Sequence, residues 1–423
     1  MMTRSEGEVL AILTLCATLM ACGDGGDRTP GDVVVTDSAG VTIATNQGRG
    51  LWLAGEGWHL EEELRIGVTS GDPRLQFGVV SGLDVDDEGR IHLLDGQARE
   101  VRIFDAAGEF VRSFGESGEG PGEFSPTVAQ PPGGLFVGAD GTIIVPDLGN
   151  QRLARFGPDG TVLESPRLSL GSGIPFAWTR GADRTLFRQR RTLDLPGMAS
   201  DSVEPIDRII RGDGVSGEEE LVLELASGTT LSFEGGGGIP EIRIFAPEPV
   251  WTVLSDGRLV TGSNDAYSLA LHDADGEVTM IVRREIERRP VTPGDERNLR
   301  EIFAEGWEEA GVPPGEIMDQ LMSAIRFEPM WPALAQLIAG PDGSLWVQRV
   351  STEASLDEFT AEDLQAGRFG SSAWDVFDAD GSYLGVVEMP ARFTPTRFVG
   401  DHLYGVHRDE MEVQRVVRLR LVR

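Results

Sequence analysis

The histidines are the first residues to consider as catalysts or metal ligands, because an imidazole can exchange protons near neutral pH and can bind transition metals. The chain has five, and they are His59, His92, His272, His402 and His407. No two stand in an H-x-x-x-H or H-E-x-x-H spacing. His402 and His407 fall on one predicted hairpin, whose adjacent strands would bring the rings together as a metal pair. Histidines in the core or in contact with water are the simpler interpretation.

The run DVDDEGRIHLLD nearly matches a calcium-binding loop of the D-x-D-x-[DN]-G type. Asp84, Asp86 and Gly89 occupy the expected places, with Glu88 before the glycine. The last ligand is wrong, because Asp95 stands where the loop needs Glu. The same residues fit a tight turn between two strands, since the IHLL part reads as a strand. We therefore favour a hairpin over a calcium site, and we expect no metal and no cofactor.

Two other kinds of catalytic site find no support. The four glycines 235–238 suggest a phosphate-binding loop, but the chain contains no lysine and no G-K-[ST] follows them. No G-x-S-x-G nucleophile elbow occurs. The two cysteines are Cys16 and Cys22, both close to the start. The rest of the chain therefore has neither a disulfide nor thiol chemistry.

The segment GESGEGPGEF places Glu116, Glu119 and Glu123 on a loop rich in Gly and Pro. Glycines let such a loop approach a ligand closely, and the carboxylates could hold a cation or a basic partner. A plain connector with solvated charges is the alternative. The chain as a whole is strongly acidic, with a formal net charge of −32. This charge repels phosphate backbones, so we expect no binding to nucleic acid.

The first residues resemble an export signal. An apolar run over 9–21 follows Arg4 and is too short to span a membrane comfortably. It ends in Leu-Met-Ala-Cys, which resembles a bacterial lipobox, so Cys22 is the predicted lipidation site. An ordinary cleaved signal peptide or an uncleaved apolar start is the alternative. We expect residues 1–21 to be the signal, 22–31 a flexible tether, and the mature protein to be anchored by lipid in the bacterial cell envelope, outside the cytoplasm.

Period-two apolar runs separated by turn signals fill most of the remaining chain, which is typical of β-strands. One four-stranded unit recurs with a constant shift of 52, because Gly89, Asp95, Phe104 and Gly108 return as Gly141, Asp147, Phe156 and Gly160. Within a unit the two turn glycines lie 19 residues apart. This spacing gives six units, at about 79–115, 131–166, 174–226, 248–285, 335–390 and 396–421. One such unit cannot bury both faces of its sheet, so the repeat predicts a closed array.

The closed array predicted here is a six-bladed β-propeller of four-stranded antiparallel blades, covering residues 32–423. The chain ends one strand short and has a spare strand at 58–66, so we expect that strand to complete the last blade and close the ring. One segment departs from the β pattern. Thr292 and Pro293 form a helix start, and a helical period follows, so residues 292–327 are predicted to form an inserted helical hairpin.

The repeat units resemble NHL repeats, which build six-bladed propellers. The clearest copies are DEGRIHLLDGQAREVRIFDAAG and ADGTIIVPDLGNQRLARFGPDG, and the second carries a D-x-x-N-x-R core as Asp147, Asn150 and Arg152. The first copy has Ala98 in the Asn place. The chain is similar in particular to the bacterial six-bladed β-propeller lipoproteins. The resemblance implies a fold and a place in the cell, and it says little about chemistry.

The longest loops are all predicted on one face of the propeller. In a four-stranded blade, the loop between strands two and three lies on the same side as the connector to the next blade. The long segments at 192–205, 227–247, 292–327 and 351–370 all belong to these two kinds, and long loops on a rigid scaffold commonly carry function. Insertions that are merely tolerated there are the alternative. The candidate ligand-binding residues are Asp95, Arg99, Glu119, Glu123, Asp147, Asn150, Arg152, Phe303 and Trp307.

These features favour a non-enzymatic, monomeric module that binds a protein, peptide or glycan, with the helical hairpin as a partial lid over Phe303 and Trp307. The alternative is a propeller enzyme of the lactonase or lyase kind, using a metal or a polar cluster in the central channel. That chemistry needs convergent side chains near the axis, and no two units supply matching ones. A purely structural envelope component is the third interpretation.

Overall fold

The computed structural model describes residues 33–127, 133–168, 174–193, 202–203, 205–212, 219–225, 231–232, 241–350 and 369–423. The predicted signal, Cys22 and the tether lie outside the described residues. So do the loop at 351–368 and most of the loops predicted at 192–205 and 227–247.

Twenty-nine strands and two α-helices follow one another along the described chain. The first strands are β1 (Val33–Ser38), β2 (Val41–Asn46) and β3 (His59–Ile66). Blade I is β4 (Val80–Val85), β5 (Ile91–Asp95), β6 (Glu100–Phe104) and β7 (Phe110–Phe114). Blade II is β8 (Phe136–Val137), β9 (Ile143–Asp147) and β10 (Arg152–Phe156). Blade III is β11 (Ile174–Arg180), β12 (Leu186–Leu193), β14 (Pro205–Gly212) and β15 (Glu220–Leu225), and the short strands β13 (Ser202–Val203) and β16 (Leu231–Ser232) pair beside it.

The second half of the chain continues in the same way. After β17 (Ile242–Ile244), blade IV is β18 (Pro249–Val253), β19 (Leu259–Ser263), β20 (Ser268–His272) and β21 (Val278–Arg284). Helices α1 (Pro293–Glu309) and α2 (Glu316–Ala324) and strand β22 (Ile325–Phe327) come next. Blade V is β23 (Leu334–Ala339), β24 (Leu345–Val350), β25 (Gly370–Phe377) and β26 (Tyr383–Glu388). Blade VI is β27 (Phe393–Val399), β28 (His402–Arg408) and β29 (Gln414–Val422).

The predicted six-bladed propeller is confirmed. Each blade is an antiparallel meander, and the fourth position of blade II is held by single bridges from Phe156 to Val162 and from Arg152 to Arg167. The turn glycines recur for a backbone reason: Gly89 and Gly108 have φ of 77° and 85°, a region that suits glycine, and their repeats Gly141, Gly160, Gly257, Gly276, Gly343 and Gly381 have φ between 73° and 89°.

Blade VI is completed from the other end of the chain. β29 pairs antiparallel with β3, in a register that runs from Val416 opposite Ile66 to Val422 opposite His59. The ring therefore closes by backbone hydrogen bonds between β29 and the early strand β3, so β29 is not left as an open edge. The hairpin of β1 and β2 extends blade IV, because β2 pairs in parallel with β21.

The core consists of apolar layers between neighbouring blades. Trp346 and Trp374 of blade V are fully buried and pack with Leu403 and Val417 of blade VI. Similar layers join the other pairs of blades. Large aromatic and β-branched side chains suit these wedge-shaped spaces, because they bury much apolar surface at little cost in side-chain entropy.

The predicted helical hairpin is present as α1 and α2. Thr292 is the N-cap of α1 and forms a capping box with Asp295, in which each side chain accepts a hydrogen bond from the backbone N–H of the other residue. In the second helix only one residue is buried. Ile317 is 55% exposed, the buried residue is its neighbour Met318, and Ile325 begins β22.

Among the residues that the structure describes, no helix is both long enough and apolar enough to cross a lipid bilayer.

Candidate functional site

The two faces of the propeller are built differently. The loop-rich face carries the connectors between blades, among them residues 67–79, 115–127 and 285–333, together with the loops between second and third strands. The tight-turn face carries the short turns between first and second, and between third and fourth strands. On that face aspartates stabilise the turns, because their carboxylates accept the N–H two residues further on, as at Asp105, Asp159, Asp273 and Asp378. Part of the net negative charge therefore has a local structural role.

Asp147, Asn150 and Arg152 lie together at the loop-rich end of blade II. The Asp147 carboxylate is fully buried and accepts from the Asn150 amide at 2.7 Å, and Asn150 also donates to the Gly118 carbonyl at 3.0 Å. The Arg152 guanidinium donates to the carbonyls of Gly120 and Glu123, each at 2.8 Å, and to that of Glu119 at 3.3 Å. The D-x-x-N-x-R motif thus fastens the loop between blades I and II.

That loop is also held by its own residues. Phe124 is fully buried, and its ring packs 5.7 Å from the ring of Phe156. The Glu123 carboxylate accepts the Gly120 N–H at 2.7 Å. A Cβ on Gly118 would come within 2.0 Å of that carboxylate, so a larger residue there would displace the Glu123 side chain from this position. Glu119 remains exposed at the tip, as a ligand contact requires.

Asp95 and Arg99 lie at the equivalent end of blade I and serve the backbone there. Asp95 is 1% exposed and accepts from the N–H groups of Gly78 and Ala98, each at 3.0 Å. Arg99 is 9% exposed, has a φ of 60° and donates to the Gly96 carbonyl. With their polar atoms engaged in this way, both residues set the shape of the face from beneath.

The helical hairpin belongs to a larger unit, which we call the cap. It consists of residues 241–247 and 285–333, and it is joined by parallel pairing of β17 with β22. The cap has its own apolar core, which contains Leu299 and Trp331, both fully buried, and Phe303, 5% exposed. Trp307 packs against this core, with its ring 5.8 Å from that of Phe303. Phe303 and Trp307 are therefore used inside the cap.

The cap is fixed to the propeller by both side-chain and backbone contacts. The ring of Phe245 lies 4.3 Å from that of Trp331 and 5.9 Å from that of Phe369, which precedes the third strand of blade V. The N–H of Ala333 donates to the Asn264 carbonyl of blade IV at 2.6 Å. The connectors before and after blade IV thus form one ordered platform on the loop-rich face.

A second polar cluster lies on the propeller axis, near the tight-turn face. Asp84 of blade I is fully buried and receives both Nε and Nη2 of Arg180, from blade III, at 2.7 and 2.8 Å. Its Oδ1 also lies 3.3 Å from Nε of Arg397, which belongs to blade VI. Blades III and VI stand opposite each other in a ring of six, so side chains from both can meet one carboxylate only at the centre. Arg184 lies beside this cluster and donates to the Val137 carbonyl at 3.0 Å.

Burial and charge act in opposite directions on these groups. Burial raises the pKa of Asp84, but the guanidinium groups of Arg397 and Arg180 more than offset this and hold it below its ordinary value. Burial lowers the pKa of Arg397 to about 10, which still leaves the side chain charged at neutral pH. Asp84 and Arg397 are therefore both ionised at neutral pH.

The sequence did not reveal this cluster. The prediction was that no two units supply matching side chains near the axis, and Asp84, Arg180 and Arg397 meet there from positions that do not match. These three residues occupy different positions in their blades. Comparing the repeated units of the sequence reveals only residues at equivalent positions, so it does not bring these three together. A charged residue near the end of an innermost strand was the available signal.

The hairpin interpretation of DVDDEG is confirmed, because β4 and β5 pair directly around it. Asp86 accepts from the backbone and side chain of Arg90 and lies 3.0 Å from Nε2 of His92. His402 and His407 both lie on β28, five residues apart, so they point to different neighbours, Glu63 and Arg65. Across the described ranges, no three His, Cys, Asp or Glu residues are grouped so as to hold a metal.

No protein-family model and no curated protein matches this chain. Among solved structures it is similar to virginiamycin B lyase from Staphylococcus aureus, with 13% identity, 86% of this chain and 100% of that chain covered, and a TM-score of 0.42. It is also similar to the PQQ-bound aldose sugar dehydrogenase of Streptomyces coelicolor (13%, 86% and 99%, 0.44). A third similar structure is a Bacteroides fragilis protein provisionally described as exported. It has 11% identity and a TM-score of 0.49, with 90% of this chain and 100% of that chain covered. These identities are too low to transfer an activity, and the fold assignment rests on the strands themselves.

Proposed function

We propose that this protein is a lipid-anchored, extracytoplasmic binding module of the NHL-repeat-like propeller class, which takes a protein, peptide or glycan on its loop-rich face. The observation that carries the proposal is the ordered platform on that face. The cap has a buried apolar core of its own, and the loop of residues 116–124 is held by the motif Asp147, Asn150 and Arg152. The other face consists of short turns.

Preorganisation is the physical reason why such a platform suits recognition. A loop that is already fixed loses little conformational entropy when a ligand binds, so more of the contact energy appears as affinity. In this proposal the buried residues Asp95 and Asp147 and the partly buried Arg152 hold the loops in shape. The ligand itself meets the outer residues, such as Glu119 at the loop tip and Ile317 on the cap, which is 55% exposed.

Paired charge substitutions on the two faces test the proposal. Deleting residues 292–327 would uncover the apolar core of the cap, so surface variants are cleaner. The full-length protein with Glu119→Arg and Ile317→Arg is compared with a matched control that carries Asp275→Arg and Glu277→Arg on the tight-turn face. We expect the natural ligand to co-purify with the wild type and the control, and to be lost from the first variant. Equal recovery from both variants would place binding elsewhere.

The anchor is tested separately at Cys22. Metabolic labelling with a radioactive fatty acid should mark the wild type and not Cys22→Ser, because the thiol is the proposed acceptor. The Cys22→Ser protein should also leave the membrane fraction. Label that persists in Cys22→Ser would refute the proposed site, whatever the outcome for ligand binding.

A further inference from the structure

Asp84, the buried acidic residue of the axial cluster, already accepts as many hydrogen bonds as its carboxylate can. The Asp84 carboxylate accepts from the N–H groups of Val85 and Val137, both at 2.8 Å, in addition to its two bonds from Arg180. A carboxylate offers about four lone-pair sites, and these four donors occupy them. No acceptor capacity remains at Asp84 for a further donor.

Arg397 is the arginine of the cluster that donates no hydrogen bond to the Asp84 carboxylate. Its Nε is buried and has no hydrogen-bond partner in the part of the chain that the structure describes, and 3.3 Å from Asp84 Oδ1 is its closest ionic contact. The side chain keeps 14% of its exposure, so it still meets solvent in the channel. A buried N–H without an acceptor is costly. Asp84 is shared with Arg180 and has no free lone pair for this N–H, so a further anion would satisfy it.

The buried charges of the cluster also leave an excess of positive charge at the axis. Arg180, Arg184 and Arg397 contribute three positive charges, against Asp84 and the more distant Asp87. The side chain of Asp87 is 81% exposed and pairs with Arg184 at 2.5 Å. The buried part of the cluster is therefore net positive within a chain whose net charge is −32. Cations from blades III and VI face one spot on the axis, which resembles the way arginine clusters receive carboxylates and phosphates.

We infer that the axis of the propeller holds a small oxyanion, a carboxylate or a phosphate, whose oxygens accept hydrogen bonds from the guanidinium of Arg397 near the tight-turn face. This site is independent of the ligand proposed for the loop-rich face. It would neutralise the excess charge at the centre, so binding of the anion should stabilise the whole ring.

The test is thermal unfolding and calorimetric titration of the full-length protein with sodium phosphate and with sodium acetate, each against sodium chloride at the same ionic strength. We expect one of the two oxyanions to raise the melting temperature in a saturable way, and the one that does so identifies the class. Matched ionic strength removes the general effect of screening. If neither oxyanion gives a saturable effect beyond that of chloride, the inference is wrong.

Arg397→Gln should weaken the binding at least about tenfold, because a hydrogen bond to a charged group contributes about 1.5–3 kcal/mol. Arg392→Gln is the control, since Arg392 lies on the same blade but is 52% exposed and pairs with Glu412. The affinity of the Arg392→Gln protein for the oxyanion should equal that of the wild type. If Arg397→Gln does not fold, Arg397→Met keeps the side-chain volume and makes the same comparison. Unchanged affinity in a folded Arg397 variant would overturn the assignment.

Discussion

Replacing Asp84 with Asn should destabilise the whole propeller, because Asp84 joins four blades at the axis. The substitution keeps the shape of the side chain but removes its charge, and it leaves Arg180 and Arg397 as buried cations without a counter-ion. Breaking a buried ion pair by removing one partner costs about 3–5 kcal/mol. For about 390 residues at about 2.1 cal/mol/K each, the unfolding entropy is about 0.8 kcal/mol/K, so the melting temperature should fall by about 4–6 °C.

The control for this prediction is Asp87→Asn, three residues further along the same blade. Asp87 also pairs with an arginine, but its side chain is 81% exposed, and exposed pairs contribute only about 0–1 kcal/mol. Calorimetry on the full-length variants measures the two shifts side by side. If Asp84→Asn melts within about 1 °C of Asp87→Asn, the axial ion pair does not stabilise the ring and the reasoning fails.

Three further predictions follow from the described contacts. Arg152→Gln removes the hydrogen bonds to the carbonyls of residues 119–123. Amide hydrogen exchange over 116–124, measured by mass spectrometry, should therefore quicken by about 10–100-fold. Unchanged exchange would contradict the role of Arg152 in fastening this loop. Thr292→Ala should lose about 1 kcal/mol of cap stability, read as faster exchange in α1 and not in blade I. The folded-state pKa of Asp84 is lowered, so its contribution is present above its unfolded pKa of about 3.9 and is lost as the pH falls through the folded value. The difference in melting temperature between wild type and Asp84→Asn should therefore narrow below about pH 4, and a gap that stays constant would argue against it.

The repeat architecture was predictable from the sequence because it depends on local rules. Gly89 and Gly108 must adopt positive φ, and this requirement returns in each intact blade with the same spacing. The spare strand predicted at 58–66 could be found by counting strands, and it corresponds to β3, which pairs with β29. Thr292 and Pro293 mark a helix start that depends only on neighbouring residues.

The features that the sequence did not reveal all depend on contacts between distant parts of the chain. Arg180 meets Asp84 across 96 residues and from a non-equivalent blade position. β2 pairs in parallel with β21, although the local sequence pattern of neither strand indicates which strand it pairs with. In α2, the choice of Met318 over Ile317 as the buried residue depends on where the cap core lies, since both are apolar. Propensity and periodicity contain no information about such choices.

The candidate residues show the same division. The sequence correctly placed Asp147, Asn150 and Arg152 together in one motif at the loop-rich end of blade II. It did not show that their polar groups would be turned to the adjacent loop, because the partners are backbone carbonyls, which every residue possesses. The outer surface of that loop is what remains for a ligand.

Site-specific photo-crosslinking in living cells tests the central claim, that ligand binding belongs to the loop-rich face. A photoreactive phenylalanine is introduced in the full-length protein at Glu119 or Ile317 on that face, and at Glu88 or Glu277 on the tight-turn face; all four positions are exposed. Binding on the loop-rich face should give a discrete crosslinked product from Glu119 or Ile317 and none from Glu88 or Glu277. A product formed only from Glu88 or Glu277 would contradict it.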